Sequence, residues 1–86
     1  MLESAIQTKI RIALEKSGWL VIKLIQTSLN GITDQLCLKK SRAVFIEVKQ
    51  PGKKPTELQL YRHKQLREQG FEVIVAESVK DIQHLL

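Results

Sequence analysis

The sequence predicts one α/β domain spanning residues 1–86, a mixed four-stranded sheet flanked by helices in the order α-β-β-β-α-β-α. Three observations lead there. Apolar residues near the start recur at three- and four-residue spacing, as on one face of a helix. Two short apolar runs flank the turn Lys39-Lys40-Ser41-Arg42, as in a hairpin. A Pro/Gly loop, a helical segment and another apolar run then follow. That strand–helix–strand unit implies a parallel pair joined by a right-handed crossover.

The first helix runs from Leu2 to about Ser17, with Leu2, Ile6, Ile10, Ala13 and Leu14 as its apolar stripe and Gly18 as its C-cap. Glu3 falls in its first turn, where the helix dipole favours a carboxylate. Trp19–Ile25 is the first strand, apolar at nearly every position and so expected to be covered on both faces. Gln26–Gly31 is a polar loop in which Asn30-Gly31 could form a hairpin turn. Thr33–Leu38 and Ala43–Lys49 are the next two strands. Gln50–Pro55 is a loop holding both prolines of the chain. Thr56–Gln69 is a helix whose Thr56 and Gln59 have capping-box spacing and which Gly70 ends. Phe71–Ala76 is the fourth strand. Ser78 opens a short terminal helix, with Asp81 three residues after it.

Composition bounds what such a domain can do. A chain of 86 residues, 43% hydrophobic and 27% charged, can bury one modest core. No apolar run reaches 18 residues, so no membrane helix is expected. Met1–Ser4 lacks the features of a signal peptide, and cytoplasmic residence is the expectation. The lone Cys37 has no partner for a disulfide or a CxxC motif and reads as a small apolar strand residue. The net charge of +5 favours polyanionic partners, nucleic acid foremost. The surplus is concentrated in the middle third, at Lys39, Lys40, Arg42, Lys49, Lys53 and Lys54. These are the expected phosphate contacts, although lysine-rich faces are often merely solvated.

Glu47 and Lys49 are two apart in a strand and project from one face. If Lys39 pairs with Arg42, then Leu36 faces Phe45 and Asp34 faces Glu47. Directly opposed residues have Cβ atoms roughly 4.5–5.5 Å apart. Two carboxylates would then converge with a lysine one step along. Like charges so placed repel and need compensation. Lys49 could supply it in an ordinary ionic cluster. A bound Mg²⁺ would supply it equally well, since magnesium takes one or two carboxylates plus waters and substrate phosphate. The Val48 carbonyl could add a ligand. Phosphodiester hydrolysis uses this combination: a metal activates water and clamps the phosphate, while an ammonium orients that water or neutralises developing charge.

At these residues the chain resembles a known family. Gly31-Ile32-Thr33-Asp34 followed by Ile46-Glu47-Val48-Lys49 is similar to the PD-(D/E)xK nuclease motif. It more closely resembles the VRR-NUC subfamily, whose minimal members are stand-alone proteins of bacterial viruses. The resemblance covers nearly the whole chain, because the predicted element order is that of the family's restriction-endonuclease-like core. It implies that Asp34 and Glu47 bind metal with the Val48 carbonyl, that Lys49 is catalytic, and that Glu3 and Gln59 line the same site. Thr33 stands where the family usually has proline, a change expected to touch geometry and not chemistry.

The resemblance implies an Mg²⁺-dependent endonuclease of DNA, with Mn²⁺ able to substitute. Four-way junctions or flaps are its expected substrates, and a homodimer its expected form, since resolving a junction takes two symmetric cuts. Viral origin would place it in the host cytoplasm. The competing reading is a non-catalytic nucleic-acid-binding module in which Asp34 and Glu47 form a structural cluster. For single residues the plainer readings are definite. Gln59 can be a cap alone and Glu3 a dipole partner alone. Trp19 and Tyr61 read as core or rim residues, and His63 and His84 as surface histidines.

Overall fold

A computed structural model describes residues 1–86. Helix α1 (Glu3–Lys16) leads into β1 (Leu20–Lys23), and β2 (Gln35–Lys39) and β3 (Arg42–Val48) follow as a hairpin. Helix α2 (Glu57–Glu68), strand β4 (Glu72–Ala76) and a 3-10 helix (Val79–Leu85) complete the chain. The sheet order is β1-β2-β3-β4, antiparallel in its first two pairings and parallel between β3 and β4. Every expected element forms. The first and fourth strands are shorter than expected, the second and third are shifted by a residue or two, and the terminal helix is a 3-10 helix with non-helical angles at Ile82.

The core lies between one sheet face and the pair formed by α1 and the terminal helix. From α1 come Ile6, Ile10 and Leu14, three of the five stripe residues, all buried. They meet Cys37, Val44, Ile46, Val48, Ile82 and Leu85. Trp19 closes one end, buried, with its indole N–H donating to the Leu85 carbonyl at 3.0 Å. Cys37 is a core residue as expected, and burial pushes its thiol up to about 12, which leaves it unreactive.

The opposite face is only partly covered. Helix α2 lies over β4 and reaches β3 through its polar side chains. The first strand therefore differs from its expectation. It is an edge strand, with Leu20 61% and Ile22 38% exposed, and only Val21 packs against the core. Its apolar run does not reflect burial on both faces; half of it meets solvent because no helix covers the face of β1 and β2 opposite α1.

The hairpin register is the expected one. Lys39 pairs with Arg42, Leu36 with Phe45 and Gln35 with Ile46, which leaves Asp34 to meet Glu47 one step further. Lys40 and Ser41 form the two-residue turn, both with positive φ. Such a turn matches the strand twist and fixes the register, with no extra residue to shift it.

Candidate active site

Asp34 sits just before β2, where Thr33 and the Gly31 turn deliver it. Gly31 has φ of +81°, and a Cβ there would lie 2.7 Å from Leu58 Cγ. Only glycine lets this turn press against the first turn of α2. Thr33, in the position where a proline is usual, is buried and donates its hydroxyl to the Gln35 carbonyl at 3.3 Å. That bond ties the segment to β2. The Asp34 carbonyl accepts from Leu24 N–H at 2.8 Å, and its Oδ2 accepts from Val48 N–H at 2.7 Å.

The second bond decides the geometry. It holds the Asp34 carboxylate against the end of β3, beside Glu47. In a strand, the N–H and C=O of one residue point to the same side. The Val48 carbonyl therefore faces the Asp34 side, as a third oxygen would have to. Lys49 follows with its N–H bonded to the Ala76 carbonyl at 2.9 Å, and its charge acts on Glu47.

Glu47 is 1% exposed. Both of its oxygens are met from α2. Gln59 Nε2 lies 3.4 Å from Oε2, and His63 Nε2 lies 3.3 Å from Oε1. Gln59 also serves the cap: its Oε1 accepts from Thr56 N–H at 2.9 Å, and Thr56 Oγ1 accepts from Gln59 N–H at 3.2 Å. The two readings of Gln59 are thus both true, and one amide spans cap and site. Burial, then the hydrogen bond and charge of Asp34, push the Glu47 carboxyl up to about 8; Lys49 opposes this and Glu3 adds to it. Glu3, half-buried in the first turn of α1, is therefore near enough for its charge to be felt.

His63 departs from its expectation. It is fully buried, not a surface residue. Burial, followed by the charges of Arg67 and Lys49, lowers its pKa. The signal was in the sequence: His63 is four residues after Gln59, so both lie on one face of α2. His84 is exposed, as expected, and bonds Glu72 at 2.9 Å.

The basic residues divide. Lys53 and Lys54 are exposed in the loop that joins the end of β3 to α2. Lys39, Lys40 and Arg42 are at the other end of the hairpin, about 20 Å away at the rise of an extended strand. Lys39 Nζ donates to the Ser17 carbonyl, Arg42 pairs with Glu72 at 2.7 Å, and both cations lie over the Trp19 ring. The fold does not bring these three to the carboxylate site.

The chain is 33% identical over 85 residues to "Putative nuclease p44" of Acyrthosiphon pisum secondary endosymbiont phage 1, covering 98% of this chain and 90% of that protein. A solved structure titled "VRR_NUC domain" superposes with a TM-score of 0.85 at 33% identity, covering 96% of this chain and 91% of that one. The chain belongs to the VRR-NUC family. A second VRR-NUC structure, titled "VRR_NUC domain protein", shares the fold at a TM-score of 0.66 and 16% identity, covering 99% of this chain and 84% of that one. No protein-family model matches the chain.

Within this VRR-NUC domain the contact of Gly31 with Leu58 can be tested directly. Gly31→Ala combines an unfavourable positive φ with a steric overlap, and should destabilise by roughly 1–3 kcal/mol. Thermal denaturation checks it. Adding Leu58→Ala should recover the steric part and not the backbone part. An unchanged melting temperature in the single variant would contradict the close approach.

Proposed function

We propose that this VRR-NUC protein is a divalent-metal-dependent endonuclease that hydrolyses DNA phosphodiester bonds. The observation that supports this most is the bond from Val48 N–H to Asp34 Oδ2, which holds the Asp34 carboxylate at the end of β3, where the register sets it opposite Glu47. The donor set suits magnesium or manganese, which accept one or two carboxylates and complete their shell with carbonyl oxygen and water. It suits zinc poorly. Zinc sites are commonly built from His and Cys, whereas the proposed donors here are all oxygens. When bound, the cation supplies charge to the phosphate oxygens and acidifies a coordinated water.

The chain's own groups then have distinct tasks. Asp34, Glu47 and the Val48 carbonyl hold the cation. The Lys49 ammonium, whose charge is felt at Glu47, would orient the attacking water or neutralise charge building on the phosphate. Gln59 keeps one Glu47 oxygen in place through its amide N–H. Glu3 lines the site from α1. Lys53 and Lys54 meet neighbouring phosphates, contacts that position DNA without reading sequence.

Branched DNA, a four-way junction or a flap, is the proposed substrate, and a homodimer the proposed form. An exposed apolar strip at the edge of the sheet supports the dimer: Leu20, Ile22, Ile25 and Leu29 are 38–84% exposed. Patches of this kind mark association surfaces. A 9.9 kDa chain with one modest core would also gain stability by covering it.

The test is a substrate panel of supercoiled plasmid, four-way junction, flap and linear duplex, each with Mg²⁺, Mn²⁺ or EDTA. Cutting of the branched substrates in either metal, stopped by EDTA, is expected. No cutting of any substrate in either metal would overturn the enzyme reading. Light scattering reports the dimer separately.

A further inference from the structure

His63 has no task in the chemistry above, yet it is the most completely buried polar residue beside the site. Its Nε2 lies 3.3 Å from Glu47 Oε1, and its Nδ1 has no partner at all. Simple packing does not account for such a residue. A leucine would fill comparable space without stranding a polar atom, and buried polar groups are normally paired. The arrangement is understandable if the Nε2 bond is what the position requires. The partner groups also define the tautomer. With the hydrogen on Nε2, the bond to Oε1 forms and Nδ1 is left as a bare lone pair. With the hydrogen on Nδ1, a donor would be stranded, and once Glu47 is ionised, as a metal ligand must be, two acceptors would face each other. An unmet acceptor is the more tolerable of these.

We infer that His63 is a positioning residue for Glu47: its Nε2–H donates to Oε1 and fixes the carboxylate so that the side toward Asp34 stays open to a cation. The inference rests on the metal-site reading above. Gln59 meets only Oε2, at 3.4 Å, and leaves Oε1 to His63. His63 stands one turn deeper, fully buried, on a part of α2 that does not fray. Gln59 and His63 at i and i+4 therefore grip the two oxygens of one carboxylate from one helix face. Groups that orient a metal ligand in this way typically change metal affinity 10–100-fold when removed.

The experiment is an Mn²⁺ titration by calorimetry on wild type, His63→Leu, His63→Asn, His63→Gln and Glu47→Gln. His63→Leu and His63→Asn, which lack a donor at that reach, should bind Mn²⁺ about 10–100-fold more weakly. His63→Gln, whose amide N–H extends about as far as Nε2, should stay within a few-fold of wild type. Without metal, His63→Leu should melt no lower than wild type. With Glu47 ionised, the ¹⁵N shifts of the wild-type ring should show a protonated Nε2 and a bare Nδ1. Either donor-less variant binding Mn²⁺ as tightly as wild type, or His63→Gln binding as weakly as they do, would overturn the inference while leaving the metal site intact. Wild type failing to bind Mn²⁺, or Glu47→Gln binding equally well, would overturn the metal site and the inference with it.

Discussion

Lys49→Ala should lower the rate of DNA cleavage about 10²–10³-fold while leaving Mn²⁺ affinity unchanged or slightly tightened. The rate estimate is the usual loss when one preorganised group facing transition-state charge is removed. The affinity estimate follows from electrostatics alone, since deleting an ammonium beside a cation site removes repulsion. Glu47→Ala should behave differently. It removes a carboxylate that the fold has buried and gripped from α2, so Mn²⁺ binding and cleavage should be lost together. Single-turnover cleavage at saturating Mn²⁺, alongside calorimetry, separates the two patterns. If Lys49→Ala lost metal affinity, or Glu47→Ala kept it, the division of labour between these residues would be wrong.

The metal-free protein should lose stability as pH rises from about 6.5 to about 8. Glu47 is raised from its ordinary 4.5 to about 8 in the folded state. Between those values the folded chain keeps a proton that the unfolded chain has released, so stability falls with pH. His63 works in the other direction. Its pKa is lowered on folding from an ordinary 6.5, so acid below 6.5 favours the unfolded chain. Just below pH 6.5 the two slopes oppose each other, so the net fall is clearest above it. One proton over some 1.5 pH units corresponds to about 2 kcal/mol, or roughly 10 °C in melting temperature for a domain of this size. Glu47→Gln should flatten the profile in that window. Mn²⁺ should restore stability at pH 8, because a ligand that binds only the folded state stabilises it by mass action. Below pH 8, binding should also release close to one proton, measurable by calorimetry in buffers of different ionisation enthalpy. A wild-type melting temperature that is flat from pH 6.5 to 8 would contradict the raised carboxyl.

Much of this architecture was legible before any coordinates. The hairpin register followed from a two-residue turn, because a period of two leaves no freedom once the turn is placed. That register is what sets Asp34 beside Glu47. The capping box was legible because Thr56 and Gln59 are local in sequence. What was not legible is how elements lie on each other. The coverage of β1 depends on where α2 ends across the sheet, and nothing in Trp19–Ile25 records that. His63 looked like a surface histidine because α2 is largely polar, and its burial depends on which strand it meets. Lys39 and Arg42 count toward the net charge, yet a sequence total does not show that they are spent on Ser17, Glu72 and Trp19.

The grip on Glu47 from a single helix has a further consequence. Gln59 and His63 move together, so an error in the placement of α2 becomes an error in the orientation of one carboxylate. The depth of that helix is set at its start by Leu58 resting on the bare Cα of Gly31. The pair acts as a shim. Changing the bulk of residue 58 would raise or lower the helix by fractions of an ångström and retune the cation preference of the centre, with every ligand left in place.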